Sequence, residues 1–90
     1  MSQIEVAHRL EAGEVERRLM ALAARHEVAL RVEAPGRSGG LAKQVPFLGA
    51  IEASYEIRPG ALAVEITRAP AALAARLGGL LAGELERALS

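Results

Sequence analysis

Ninety residues without a cysteine make one domain with a single core, held without disulfides and offering no thiol nucleophile. Eleven basic and eleven acidic residues cancel to a net charge of zero, which in bulk argues against nucleic acid or an anionic membrane as partner. No apolar run approaches the roughly 18 residues of a membrane span, and the first residues, MSQIEVAHRLEAGE, lack the basic-then-apolar layout of a signal peptide, so a cytoplasmic protein is expected.

Residues 3–10 alternate, Ile4, Val6, His8 and Leu10 against Gln3, Glu5, Ala7 and Arg9, and read as a strand. From Glu11 the period becomes helical. Ala12, Val15, Leu19, Leu22, Ala23 and His26 share one stripe, with Glu14 early and Arg25 late in agreement with the helix dipole. Residues 28–33 read as a second strand, so this first part predicts a crossover with parallel strands. Residues 34–48, APGRSGGLAKQVPFL, are broken by Pro35, Gly36, Gly39 and Gly40 and read as a loop, longer than compact domains ordinarily use.

Residues 49–68 hold the clearest signal. Ile51, Ala53, Tyr55 and Ile57 alternate before Pro59-Gly60, and Leu62, Val64 and Ile66 alternate after it. A hairpin with Pro59-Gly60 at its tip sets Ile57 against Leu62, Tyr55 against Val64 and Ala53 against Ile66, with a slightly open loop expected for a type II turn. Pro70 then opens a last helix reaching Leu89. Its stripe of Leu73, Leu77, Leu80, Leu81, Leu85 and Leu89 suits a sheet, while Ala72, Ala75, Gly79, Ala82 and Gly83 leave the other side smooth. The predicted fold is an α+β two-layer sandwich in the order β-α-β-β-β-α, mainly antiparallel, with both helices on one face of the sheet. Glu5, Arg9, Arg31, Glu33, Glu52, Ser54, Glu56, Glu65 and Thr67 fall on its open face.

Chemistry is sparse. With His8 and His26 as the only histidines and no Asp or Cys, no metal or other cofactor site is expected. Ser54 is expected on the outer face of the sheet and both histidines point inward, which argues against a Ser-His-acid arrangement. Glu52, Glu56 and Glu65 form an acidic patch that reads as a solvated face. Gly36 to Lys43 misses the phosphate-loop spacing, and Gly36-Arg37-Ser38-Gly39 has the G-x-x-G pattern of KH loops but joins strands, so no nucleic acid is expected. A non-enzymatic reading follows. Two interaction surfaces are candidates: the smooth helix side at Ala75, Gly79, Ala82 and Gly83, expected to support self-association, and Phe47 with Leu48. For Phe47 and Leu48, folding back to close the core is the expectation, since exposed large apolar side chains invite aggregation; the alternative is an exposed anchor. His8, His26 and Tyr55 could instead line a pocket between helices and sheet, as in a homo-oligomeric small-ligand binder, although packing roles are expected for them.

The segments Ile4-Glu5-Val6-Ala7-His8-Arg9-Leu10, Gly49 with Ile51, Leu62-Ala63-Val64-Glu65-Ile66, and Leu77-Gly78-Gly79-Leu80-Leu81 through Glu84-Leu85-Glu86 together resemble the small polyhydroxyalkanoic acid granule/system family of bacterial proteins. The likeness covers nearly the whole chain, with a longer, more Gly-rich stretch from Arg37 to Phe47. It implies an accessory role at a storage-polyester granule, with the polymer or a coat protein as partner, and no catalytic residues.

Overall fold

A computed structural model of the chain describes residues 2–90. The elements are β1 (Ser2–Ala7), α1 (Ala12–Arg25), β2 (Ala29–Ala34), β3 (Ser38–Val45), β4 (Gly49–Arg58), β5 (Ala61–Arg68) and α2 (Ala71–Leu89). The strands form one antiparallel sheet in the order β1-β5-β4-β3-β2. Val15, Leu19 and Leu22 of α1 and Leu85 and Leu89 of α2 share one core with Val6, Tyr55, Ile57, Leu62 and Val64, so both helices cover the same face. The α+β sandwich is therefore as the sequence predicts.

One element differs. Residues 34–48 are not a loop but contain β3, so the order is β-α-β-β-β-β-α. Leu41, Lys43 and Val45 point toward the helices, opposite Ala53, Ile51 and Gly49. Gly39 is no breaker. It pairs with Tyr55, whose ring leans across it, and a methyl at Gly39 would overlap the Tyr55 hydroxyl and the Arg31 carbonyl. A glycine is required there by packing rather than by a turn.

Each hairpin of the meander turns on a proline. Ala34-Pro35-Gly36-Arg37 is closed by Arg37 N–H donating to Ala34 O at 2.9 Å, with Gly36 at φ 72°. Val45-Pro46-Phe47-Leu48 is closed by Leu48 N–H to Val45 O at 3.1 Å, with Phe47 at φ 67°. At Pro59-Gly60 the φ of Gly60 is 85°, and Arg58 pairs directly with Ala61, so the tip is tight rather than open. Pro sets the second position of a type II turn, and the third demands φ > 0. The predicted register is observed: Ile57↔Leu62, Tyr55↔Val64 and Ala53↔Ile66.

The predicted crossover is partly altered. Successive antiparallel pairs make β1 and β2 run the same way, but at opposite edges of the sheet, so the connection crosses from one edge to the other, with α1 lying over β2 and β4 and α2 against β1. α1 ends in a Schellman arrangement: Val28 N–H reaches Ala23 O at 2.8 Å and Glu27 N–H reaches Ala24 O at 3.2 Å, with Glu27 at φ 56°. On the open face, Arg58 lies between Glu5 and Glu56, and these side chains cover Ala63.

Candidate functional site

The two helices run antiparallel but out of step. The His26 ring, at the end of α1, lies 2.9 Å from the Glu84 carboxylate of α2. One Arg18 nitrogen donates to the carbonyls of Ala88 and Ser90, each at 3.2 Å, and so caps the end of α2. The first half of α2 therefore runs on past the end of α1. Residues 71–79 have no helix beside them, roughly 13 Å of helix at 1.5 Å per residue. Burial follows this offset: Leu85 and Leu89 are the buried residues of α2, Leu73, Leu77 and Leu81 are half-buried, and Leu80 is 66% exposed. The helix start is also weakly held. Pro70, at the N-cap, makes no side-chain cap, and no acidic residue occupies the first turn.

Under this overhang lies an apolar groove of about 120 Å³. Leu41, Ile51, Ala53 and Ile66 floor it, and Leu77 and Leu81 wall it. A cleft of about 70 Å³ continues it toward α1 through the shared Val28, Leu41 and Leu81. Both are well below the 300–1,000 Å³ typical of small-molecule sites. Lys43 sits at the rim and donates to the His26 carbonyl at 2.6 Å, satisfying an end carbonyl of α1.

The β3–β4 turn stands at the same end, since a methyl on Gly49 would touch the Pro70 ring at 3.9 Å. Phe47 does not fold back onto the core. Its exposure is 107%, and Leu48 is 46% exposed. Phe47 also occupies the left-handed region, which costs a residue with a Cβ roughly 1–2 kcal/mol. A turn with Gly or Asn in this place would close more easily. The chain's only Phe is thus held in strain at the outermost point of a hairpin, with no packing in return.

The other predicted residues scatter. His8 is buried at the Pro59-Gly60 end. Its Nδ1 accepts from Leu10 N–H and its Nε2–H donates to the Arg58 carbonyl, each at 3.1 Å, so both ring nitrogens are partnered and the side chain clamps the hairpin tip. His26 lies at the far end of α1, roughly 20 Å away by the length of that helix, and is 46% exposed on its side chain. Tyr55 is in the core between them, its hydroxyl buried and without a partner among the described residues. Burial pushes that hydroxyl's pKa up, and the Glu16 and Glu33 carboxylates add to the shift. No pocket brings the three together. Ala75 and Gly79 are exposed, and Ala82 and Gly83 half-buried, along the outside of α2. The sequence reading missed the groove floor at Leu41 and the rim lysine. The available signal was Pro35-Gly36, the dipeptide that also forms the tip of the recognised hairpin, ahead of Leu41 and Val45 at even spacing.

No metal-binding cluster of three or more His, Cys, Asp or Glu occurs among the described residues, and no helix there is long and apolar enough to cross a membrane. The chain matches no family model, no curated protein and no solved structure.

Proposed function

We propose that this is a non-enzymatic accessory protein that docks on an apolar partner with the end formed by the β3–β4 turn and the first half of α2. The observation that carries the reading is Phe47, fully exposed and in a strained backbone conformation. Strain without packing is retained where a side chain has a task outside the fold. Leu48, next to Phe47, and the half-covered groove of Leu41, Ile51 and Ile66 at the same end add apolar surface. The resemblance to polyhydroxyalkanoate granule proteins supports a storage-polyester granule, its polymer or a coat protein, as the partner. Self-association belongs to the same reading, with the smooth helix side at Ala75, Gly79, Ala82 and Gly83 admitting a close neighbour.

Co-sedimentation with polyester particles tests the docking. Phe47→Ala is expected to weaken binding about tenfold or more, as loss of a buried Phe implies, while leaving the melting temperature nearly unchanged. Unchanged binding would remove Phe47 as the anchor. For self-association, Gly79→Leu is expected to lower the sedimenting mass; a wild-type monomer at high micromolar concentration would end that part of the proposal.

A further inference from the structure

β2 is an edge of the sheet: β3 pairs with one side of it, and no described strand pairs with the other. Its six residues offer about 20 Å of unpaired backbone at 3.4 Å per residue. Sheet edges are ordinarily blunted by a lysine or proline within the strand, and Ala29–Ala34 has neither; its one irregularity is a bulge against β3 between Val32 and Ala34. The apolar side chains at this edge are uncovered as well. Val32, opposite Gly39, is exposed, and so is Met20 of α1. One turn before Met20, Glu16 accepts from Gly36 N–H in the β2–β3 turn at 2.7 Å, whereas Arg18, on the other side of α1, reaches α2. Met20 therefore stands on the β2 side of the helix.

On the open face the same edge carries Arg31 and Glu33, 3.2 Å apart and both exposed, so their own contact contributes little. Side chains that meet across an antiparallel pair lie on one face, so two copies of β2 can pair about a two-fold axis only when that axis passes through a residue. Through Arg31, the axis sets guanidinium on guanidinium. Through Glu33, it sets carboxylate on carboxylate. Through Leu30, it puts Arg31 against the partner's Ala29 and leaves Glu33 beyond the start of the partner strand. Through Val32, it sets Arg31 against the partner's Glu33 and Glu33 against the partner's Arg31, with Val32 meeting its own copy on the helix side. Glu16, Glu27 and Arg37 stand at the ends of the edge and select no register. The strand is complementary to itself in one register. We infer that a second copy of this chain pairs with β2, antiparallel about Val32, joining the two sheets into one, with the arginine–glutamate pairs on the open face and Val32 and Met20 of both copies on the helix side. This contact is separate from the smooth side of α2.

The experiment is sedimentation equilibrium of the full chain and of two charge-reversal variants, alone and mixed. Wild type should dimerise with rising concentration. Arg31→Glu leaves only carboxylates facing each other and Glu33→Arg only guanidiniums, so each variant alone should dimerise about tenfold or more weakly. Both side chains are exposed, so the melting temperatures should stay close to that of wild type. Mixed in equal amounts, the two variants should form a heterodimer as tight as the wild-type dimer, because every pair across the axis is again opposite in charge. A contact within one chain cannot be restored by mixing. Val32→Lys should also separate the copies by setting two ammonium groups on the axis. A wild type that stays monomeric at high micromolar concentration overturns the inference, as do variants that fail to combine when mixed. So does a dimer indifferent to Arg31→Glu and Val32→Lys but lost in Gly79→Leu, which would place self-association on α2 instead.

Discussion

Single residues here act against the fold's own stability in two places. Phe47 holds a left-handed backbone with its ring in water, so Phe47→Gly is expected to raise stability by about 1 kcal/mol, a gain of several degrees in thermal melting for a chain of this size. Unchanged or lowered stability would mean that the ring packs on something. Tyr55 is the second case. Its ring covers Gly39, but its hydroxyl is buried without a partner, a penalty of about 1–3 kcal/mol in cores. Tyr55→Phe keeps the ring and removes the orphan, so chemical denaturation should show equal or greater stability. A clear loss would reveal an unseen partner for the hydroxyl. Neither feature could be read from residue type. Alternation placed Tyr55 on the inner face, but which group meets its hydroxyl depends on three strands at once.

At the scale of elements, α2 is two helices in one. The part from Glu84 onward is tied by Leu85, Leu89, the His26–Glu84 contact and the Arg18 cap, while residues 71–79 cover the sheet without a neighbouring helix. Gly78 and Gly79, with nothing against either position, lower helix propensity where support is least. Backbone amides of residues 76–81 should therefore exchange with solvent at least about tenfold faster than those of residues 85–89. Uniform protection along α2 would contradict the division. The leucine stripe made α2 recognisable as a helix, yet the stripe is the same along its length and cannot report where α1 stops. The register of residues 49–68 was legible because large apolar side chains all fall on one face. β3 was not, because Gly39 and Gly40 carry no alternation and Lys43 stands on the apolar side, where its ammonium reaches the α1 terminus.

For the molecule as a whole, acid should loosen the helix layer before the sheet. Glu14 is held below its ordinary 4.5 by hydrogen bonds from Arg17 and Arg18, and Glu84 by Arg87 first and then by His26. Because these folded-state values are depressed, the ion pairs contribute fully above pH 4.5 and are lost as pH falls through the lower values. The groups are exposed, so the effect is modest and screened by salt. Wild type should lose more melting temperature between pH 5 and pH 3 than a Glu14→Gln, Glu84→Gln double variant. Parallel losses would show that these pairs contribute nothing.

The placement of β1 beside β5 has a consequence for the order of birth. During synthesis the meander of β2 to β5 can close hairpin by hairpin as each strand leaves the ribosome, since its turns are local. β1 must wait, because the partners of Ser2 to Ala7 are Ile66 to Ala61. At 5–20 residues per second that is a delay of roughly 3–12 s, during which the earliest strand has no sheet to join. The histidine clamp at His8 bonds to Gly60 and Arg58, so it too can form only at that late moment. β1 thus has no sheet to join until the hairpin tip between β4 and β5 has been made.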